Sequence, residues 1–132
     1  MIHQKKVWVV DDDDIQRFLM ARILGKMESV SSISYFKNGW EALEQLMKAV
    51  HMPDLLPDVI FLDLQMPIMD GWSFLEIVEQ KWSQRLNGLK LYIVTSSVAQ
   101  ADKDRAFAHK WVSGFITKPF EPAGLKAICE AA

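Results

Sequence analysis

Apolar residues fall along this chain in short compact runs that alternate with longer stretches of helical spacing. Val7 to Val10 is the first compact run and reads as a strand, β1. Ile15, Phe18, Leu19, Ile23, Leu24 and Met27 then recur at helical spacing and predict α1, facing inward along that stripe. Ser32 to Phe36 predicts β2, polar enough for a sheet edge. Asn38-Gly39 turns the chain into α2, where Trp40, Leu43, Leu46, Met47 and Val50 share one stripe. The two prolines between His51 and Pro57 read as a loop. Val59 to Leu62 is wholly apolar and predicts β3, buried on both faces.

Gly71 to about Trp82 predicts α3, with Trp72, Leu75, Val78 and Trp82 inward. Asn87-Gly88 breaks the chain before Leu91 to Val94, which predicts β4. Ala101 to Trp111 predicts α4, charged on one face. Ser113-Gly114 then precedes a short β5, Phe115 to Thr117. Pro122 suits a helix start, and Leu125, Ile128 and Cys129 give α5 a modest apolar face. Five successive β-α units imply an α/β fold: a doubly wound parallel sheet with helices on both faces and right-handed crossovers.

Composition changes this picture little. The chain has 132 residues, enough for one domain with a full core, and neither repeats nor a linker divide it. A net charge of −2 gives no global attraction to nucleic acid or to an anionic membrane. No apolar run reaches the roughly 20 residues of a membrane span. The start, Met1 to Lys6, runs too quickly into an acid-terminated strand for a signal peptide. The single cysteine, Cys129, cannot form an internal disulfide, so a cytoplasmic setting is the default expectation. His3, His51 and His109 show no ligand spacing and receive no metal or catalytic role.

The chemistry lies where strands end. In a parallel sheet the residues after each strand gather at one rim, where such folds place ligands. Asp11 and Asp12 follow β1, Asp63 follows β3, Thr95 follows β4 and Lys118 follows β5. Asp13 and Asp14 read better as caps of α1, either being able to accept from its free N–H groups. Clustered carboxylates repel one another, so this rim calls for a cation. Hard oxygen ligands with room for water suit Mg²⁺. Asp63 is then a carboxylate nucleophile toward phosphorus, with the Lys118 ammonium and the Thr95 hydroxyl placed for phosphoryl oxygens. Taken singly, each has a plain alternative: a turn carboxylate, a rim threonine, a surface lysine. Their combination favours phosphoryl transfer.

Val9-Val10-Asp11-Asp12, Asp63 with Met66-Pro67 and Met69-Asp70-Gly71, Val94-Thr95-Ser96, and Lys118-Pro119-Phe120 occur in this order, each after a strand. Together they resemble the receiver domain of two-component response regulators (CheY-like), over nearly the whole chain, which reads as one receiver domain over residues 1–132. The resemblance implies a flavodoxin-like five-stranded sheet of order 2-1-3-4-5 with five helices. It implies that Asp63 takes a phosphoryl group from a phosphohistidine of a sensor histidine kinase or phosphotransfer protein. Mg²⁺ would be bound by Asp12, Asp63 and the backbone carbonyl of Gln65, with Asp11 acting mainly through a bound water. Thr95 and Lys118 would hold the phosphoryl oxygens, and Lys118-Pro119 would be a cis peptide. Phe115 matches an aromatic switch position, against the alternative of plain core. Gln65 and Ser97 match positions that tune the phosphoryl lifetime. The switched surface would be α4-β5-α5, for a downstream protein target or a homodimer.

The chain departs from the family pattern in lacking a glycine within His109 to Val112 and in its long His51–Pro57 loop. The sequence reaches Ala132 soon after α5, which fits either a single-domain regulator or a receiver taken from a longer protein. Two other functions use the same residues. A phosphorylation-independent interaction module would not need the full acid set. A haloacid-dehalogenase-type phosphatase would use Asp11-x-Asp13, but it needs a late acidic motif and leaves Asp63 and Asp70-Gly71 unexplained.

Overall fold

The computed structural model describes residues 4–82, 86 and 88–131. Its strands are β1 (Lys5–Val10), β2 (Val30–Phe36), β3 (Val59–Leu62), β4 (Lys90–Thr95) and β5 (Val112–Thr117). They form one sheet of order β2-β1-β3-β4-β5, and every neighbouring pair is parallel. The helices are α1 (Asp14–Leu24), α2 (Gly39–Ala49), α3 (Gly71–Trp82), α4 (Gln100–Phe107) and α5 (Pro122–Glu130), with one turn of 3₁₀ helix at Pro53–Leu55 inside the predicted loop. This is the doubly wound parallel sheet that the alternation predicted, in the flavodoxin-like strand order that the resemblance implied.

The period-2 alternation of the central strands builds two cores. Trp8, Val10, Ile60, Leu62, Leu91 and Ile93 point to the face covered by α2, α3 and α4. Val7, Val9, Val59, Phe61 and Val94 point to the face covered by α1 and α5, beside Met20, Leu24, Leu125 and Cys129. Each large apolar side chain fully buried in these layers contributes about 1.5–3 kcal/mol. Burial also pushes the Cys129 thiol up to about 11, away from reactivity at neutral pH.

At the lower end of the sheet, Asp58 is occupied structurally. Its carboxylate accepts from the Lys6 N–H at 2.8 Å, and its carbonyl accepts from the Lys90 N–H at 2.9 Å, so one residue ties the starts of β1, β3 and β4.

Several expectations need correction. The α1 stripe is turned: Met20 and Leu24 are buried with Ile23 and Met27 half-buried behind them, while Ile15, Phe18 and Leu19 face outward. The helix has apolar residues on two sides, and periodicity cannot tell which one meets the sheet. In α2 the inward stripe runs through Ala42, Leu43, Leu46 and Ala49, leaving Trp40 and Met47 at the surface. Helix α4 ends at Phe107, four residues before Trp111, because the chain turns through 108–111 into an earlier β5 whose Val112 pairs with Leu91. Trp111 packs against the α2-α3-α4 core from that turn. Gly114 lies within β5 rather than before it: a Cβ there would come within 2.8 Å of the Tyr92 ring. His3, and Asn87 of the predicted Asn87-Gly88 break, lie outside the described residues; Gly88 has φ 92°.

Candidate functional site

Backbone hydrogen bonds carry the strand ladder one residue past β1, β3 and β5 and so place the candidate residues. Asp11 N–H donates to the Phe36 carbonyl at 3.0 Å and Asp63 N–H to the Val10 carbonyl at 2.9 Å. Lys118 N–H donates to the Thr95 carbonyl at 2.7 Å, and the Lys118-Pro119 bond is cis, as expected. One carboxylate oxygen from each of Asp11, Asp12 and Asp63 lies within 4.8 Å of the others. The Lys118 ammonium sits across this group, donating to Asp11 Oδ2 at 2.9 Å and reaching Asp63 Oδ2 at 3.4 Å.

The loop after Asp63 is braced by glycine. Gly71 N–H donates to the Leu64 carbonyl at 3.0 Å, and a Cβ on Gly71 would run into the Asp63 carbonyl oxygen. That close approach explains the Asp70-Gly71 pair: Asp70 Oδ1 accepts from Ser73 N–H at 2.8 Å at the start of α3, and only glycine fits behind Asp63. Gly39 closes the other side, its N–H donating to the Met69 carbonyl at 2.9 Å. Between them Ile68 is held at φ 68°, a strained position for a β-branched residue.

Charge sets the state of the site. Asp63 is only 8% exposed, and its carboxyl is raised from 3.8 to about 6. Desolvation is the main cause and the Asp11 charge the second; Lys118 and the Leu64 N–H, which donates to Asp63 Oδ1 at 2.8 Å, pull the other way and lose. Burial also works against the Lys118 ammonium, but the hydrogen bond and charge of Asp11, with Asp63 beside it, outweigh this and hold its pKa above the ordinary value. A carboxylate group that one lysine fails to neutralise, made of hard oxygen donors and partly open at exposed Asp12, fits a small divalent cation.

The other predicted residues are distributed around this centre. Thr95 is buried at the end of β4, and its Oγ1 accepts from the Ser97 N–H at 3.3 Å. Ser97 Oγ donates to Asp102 Oδ2 at 2.6 Å. Gln65 is exposed in the turn after Asp63. Phe115 is half-buried against the α2-α3-α4 core. Asp13, not Asp14, caps α1, accepting from Ile15 and Gln16 N–H.

Two residues escaped the sequence reading. Arg17 donates to the Asp11 carbonyl at 2.6 Å and pairs with Asp14, adding positive charge behind the acidic rim. Its i+3 spacing from Asp14 was the available signal. Asp102 was signalled only as an acid in a helix's first turn. His109, assigned no catalytic role, bonds Glu79 through Nδ1 at 2.9 Å, away from the acidic rim.

Among the described residues no helix is long and apolar enough to cross a membrane. The family model for the response regulator receiver domain matches residues 7–130. The chain is 32% identical over 128 residues to the DNA-binding transcriptional regulator NtrC of Escherichia coli, covering 96% of this chain and 24% of that protein. It is 30% identical over 128 residues to hybrid signal transduction histidine kinase E of Dictyostelium discoideum, 94% of this chain and 7% of the kinase. It thus spans a small part of these relatives' length. Among solved structures, a two-component response regulator from Cytophaga hutchinsonii superposes with a TM-score of 0.85 at 27% identity, covering 93% of this chain and 92% of that one. The chemotaxis response regulator CheY4 of Vibrio cholerae superposes at 0.76 with 26% identity, covering 95% and 96%. Strand-end acids, lysine and threonine on this fold, with a family match along almost the entire chain, have one conclusion: it belongs to the response regulator receiver domains, the signalling modules of two-component systems.

Proposed function

We propose that Asp63 is the phosphoacceptor of this receiver, charged by a phosphohistidine on a sensor histidine kinase or histidine phosphotransfer protein. The observation that carries this reading is the buried Asp63 carboxylate held beside Asp11 and under the Lys118 ammonium. An Asp63 oxygen attacks phosphorus and forms the P–O bond. The P–N bond breaks, its electron pair returns to the imidazole nitrogen, and no redox change occurs. Lys118 follows the charge from carboxylate to phosphoryl oxygen, and the Thr95 hydroxyl donates to another phosphoryl oxygen. Asp11, Asp12, Asp63 and the Gln65 carbonyl are the residues that would hold Mg²⁺. When bound, Mg²⁺ offsets the crowded negative charge of carboxylates and phosphoryl group.

The module turns over no metabolite; its only chemistry is its own phosphorylation and hydrolysis, with Gln65 and Ser97 at positions to set the lifetime. Phosphorylation shifts a population in which Thr95 and Phe115 move together and α4-β5-α5 changes for a downstream target or a second copy. The phosphohistidine partner docks on the outward face of α1, where Ile15, Phe18 and Leu19 are 69%, 59% and 43% exposed directly after the acidic residues.

Intact-mass measurement after incubation with a small phosphoramidate, with and without Mg²⁺, tests the chemistry. A Mg²⁺-dependent gain of one phosphoryl group, absent in Asp63→Asn, is expected. No gain under any condition would point to the phosphorylation-independent module. Phosphate release over many turnovers that survives Asp63→Asn but not Asp11→Asn would point to a phosphatase.

A further inference from the structure

Helix α4 begins without a side-chain cap: Ala99 stands at the cap position and offers no acceptor. Ser97 substitutes for it from two residues back, its Oγ accepting from the Ala99 N–H at 3.3 Å. The same hydroxyl donates to Asp102 Oδ2 at 2.6 Å, a short charge-assisted bond. The backbone N–H of Ser97 meanwhile donates to Thr95 Oγ1 at 3.3 Å. Three links therefore run from the helix to the active rim: the Asp102 carboxylate to the Ser97 hydroxyl, the Ser97 backbone, and the Thr95 hydroxyl. Apolar packing does little here, since Ala106 is the only buried residue of α4. Polar ties hold this end of the helix.

We infer that Asp102 is a positioning residue that restrains phosphoryl binding: by fixing Ser97 it holds the Thr95 hydroxyl back on its own loop. This rests on the phosphoacceptor reading and deepens it. Asp102 touches neither Asp63 nor Lys118 in the hydrogen bonds described; it acts through Ser97. The bond belongs to the arrangement in which the Ser97 N–H anchors Thr95 Oγ1 on its own loop. The Thr95 proton stays free to donate, but the hydroxyl has to leave that anchor as it moves toward a phosphoryl oxygen, so breaking the Asp102 bond loosens the anchored arrangement and the competent population rises. Mg²⁺ alone has no contact with this chain of bonds and should not sense the change.

The probe is beryllium trifluoride, a phosphoryl mimic, titrated calorimetrically at saturating Mg²⁺, with Mg²⁺ alone titrated in parallel. Asp102→Ala and Ser97→Ala should each tighten the mimic about three- to tenfold, a modest population shift, with Mg²⁺ affinity unchanged. The double variant should bind no tighter than Ser97→Ala alone, because that substitution already removes the Asp102 bond together with the Ser97 bond to the Ala99 N–H. Asp102→Asn keeps an oxygen acceptor for the Ser97 hydroxyl and should stay within about twofold of wild type. A purely structural role for Asp102 would alter melting temperature without tightening the mimic. Wild type that binds the mimic while Asp102→Ala binds equally or more weakly overturns the inference alone. So does an Asn variant that behaves like Ala, which would make charge, not hydrogen bonding, the cause. Wild type that takes no mimic with Mg²⁺ overturns the phosphoacceptor reading, and this inference with it. Should Asp102→Ala fail to fold, Ser97→Ala carries the same test.

Discussion

Helices α1 and α4 both start at the rim of strand-end residues, one after Asp11 and Asp12, the other after Thr95, yet they are built in opposite ways. Helix α1 has 11 residues, a side-chain cap from Asp13 and a buried face through Met20 and Leu24. Its outer face is apolar and open. Helix α4 has 8 residues, one buried side chain and no side-chain cap. Its outer surface is polar apart from Phe107, and side chains tie it down at both ends. At its start Ser97 bonds Asp102. At its other end, Trp72 of α3 meets Arg105 in the last turn, whose guanidinium carbon is 4.2 Å from the ring centroid, and His109 just past the helix, whose ring stacks at 6.2 Å. His109 in turn bonds Glu79 at 2.9 Å. A helix anchored by its own core can leave a face free for another protein. A helix anchored by a few polar bonds and one stacked ring has discrete contacts to break, which is what a moving element requires.

The strongest way to break this comparison is Trp72→Ala. The substitution deletes the ring that both Arg105 and His109 rest on, and should cost about 2–3 kcal/mol in urea unfolding, below the range for a fully buried tryptophan because Trp72 is half-buried. Amide exchange should rise in α4 well before α1. Equal acceleration in both helices, or none in α4, would mean that the ring does not hold α4.

Much of this was legible in the chain. Asp11, Asp12, Asp63, Thr95 and Lys118 each follow a compact apolar run, and a strand's end is a place that sequence marks well. What sequence marks badly is direction. Ile15, Phe18 and Leu19 look as buriable as Met20 and Leu24, and only the sheet's position separates the two faces. Trp111 was placed near the end of α4, whereas pairing of Val112 with Leu91 pulled the chain into β5 sooner. Contacts between helices, such as Trp72 with Arg105 and His109, leave no periodic trace at all. Gly114 was placed before β5 and instead lies within it, leaving the space that Tyr92 needs.

The open face of α1 gives the second test. Phe18→Ala should slow phosphoryl transfer from a phosphorylated histidine phosphotransfer protein by about tenfold, as loss of a central aromatic anchor does. Transfer from a small phosphoramidate should not change, since Phe18 makes none of the acid cluster's hydrogen bonds. The fold should hold, because the side chain is largely in water. A variant that slows both donors equally would move Phe18 from docking to the site itself. One that slows neither would leave α1 without its assigned partner.

Ile68 sharpens the comparison with the smallest effect. It stands in the loop between Asp63 and α3, 83% exposed and at φ 68°, so it is both strained and unburied. Nothing in the core repays that conformation, and a β-branched residue at positive φ costs about 1–2 kcal/mol. Glycine adopts it freely but also loosens the unfolded chain, so Ile68→Gly should stabilise by only about 0.5–1 kcal/mol. If the apolar docking rim of α1 extends across the site to this loop, the same variant should slow transfer from the protein donor about two- to threefold while a small donor is unaffected. A gain in stability with unchanged protein-donor transfer would confine docking to α1. A loss of stability would show that the loop, braced by Gly39 and Gly71, draws support from Ile68 itself.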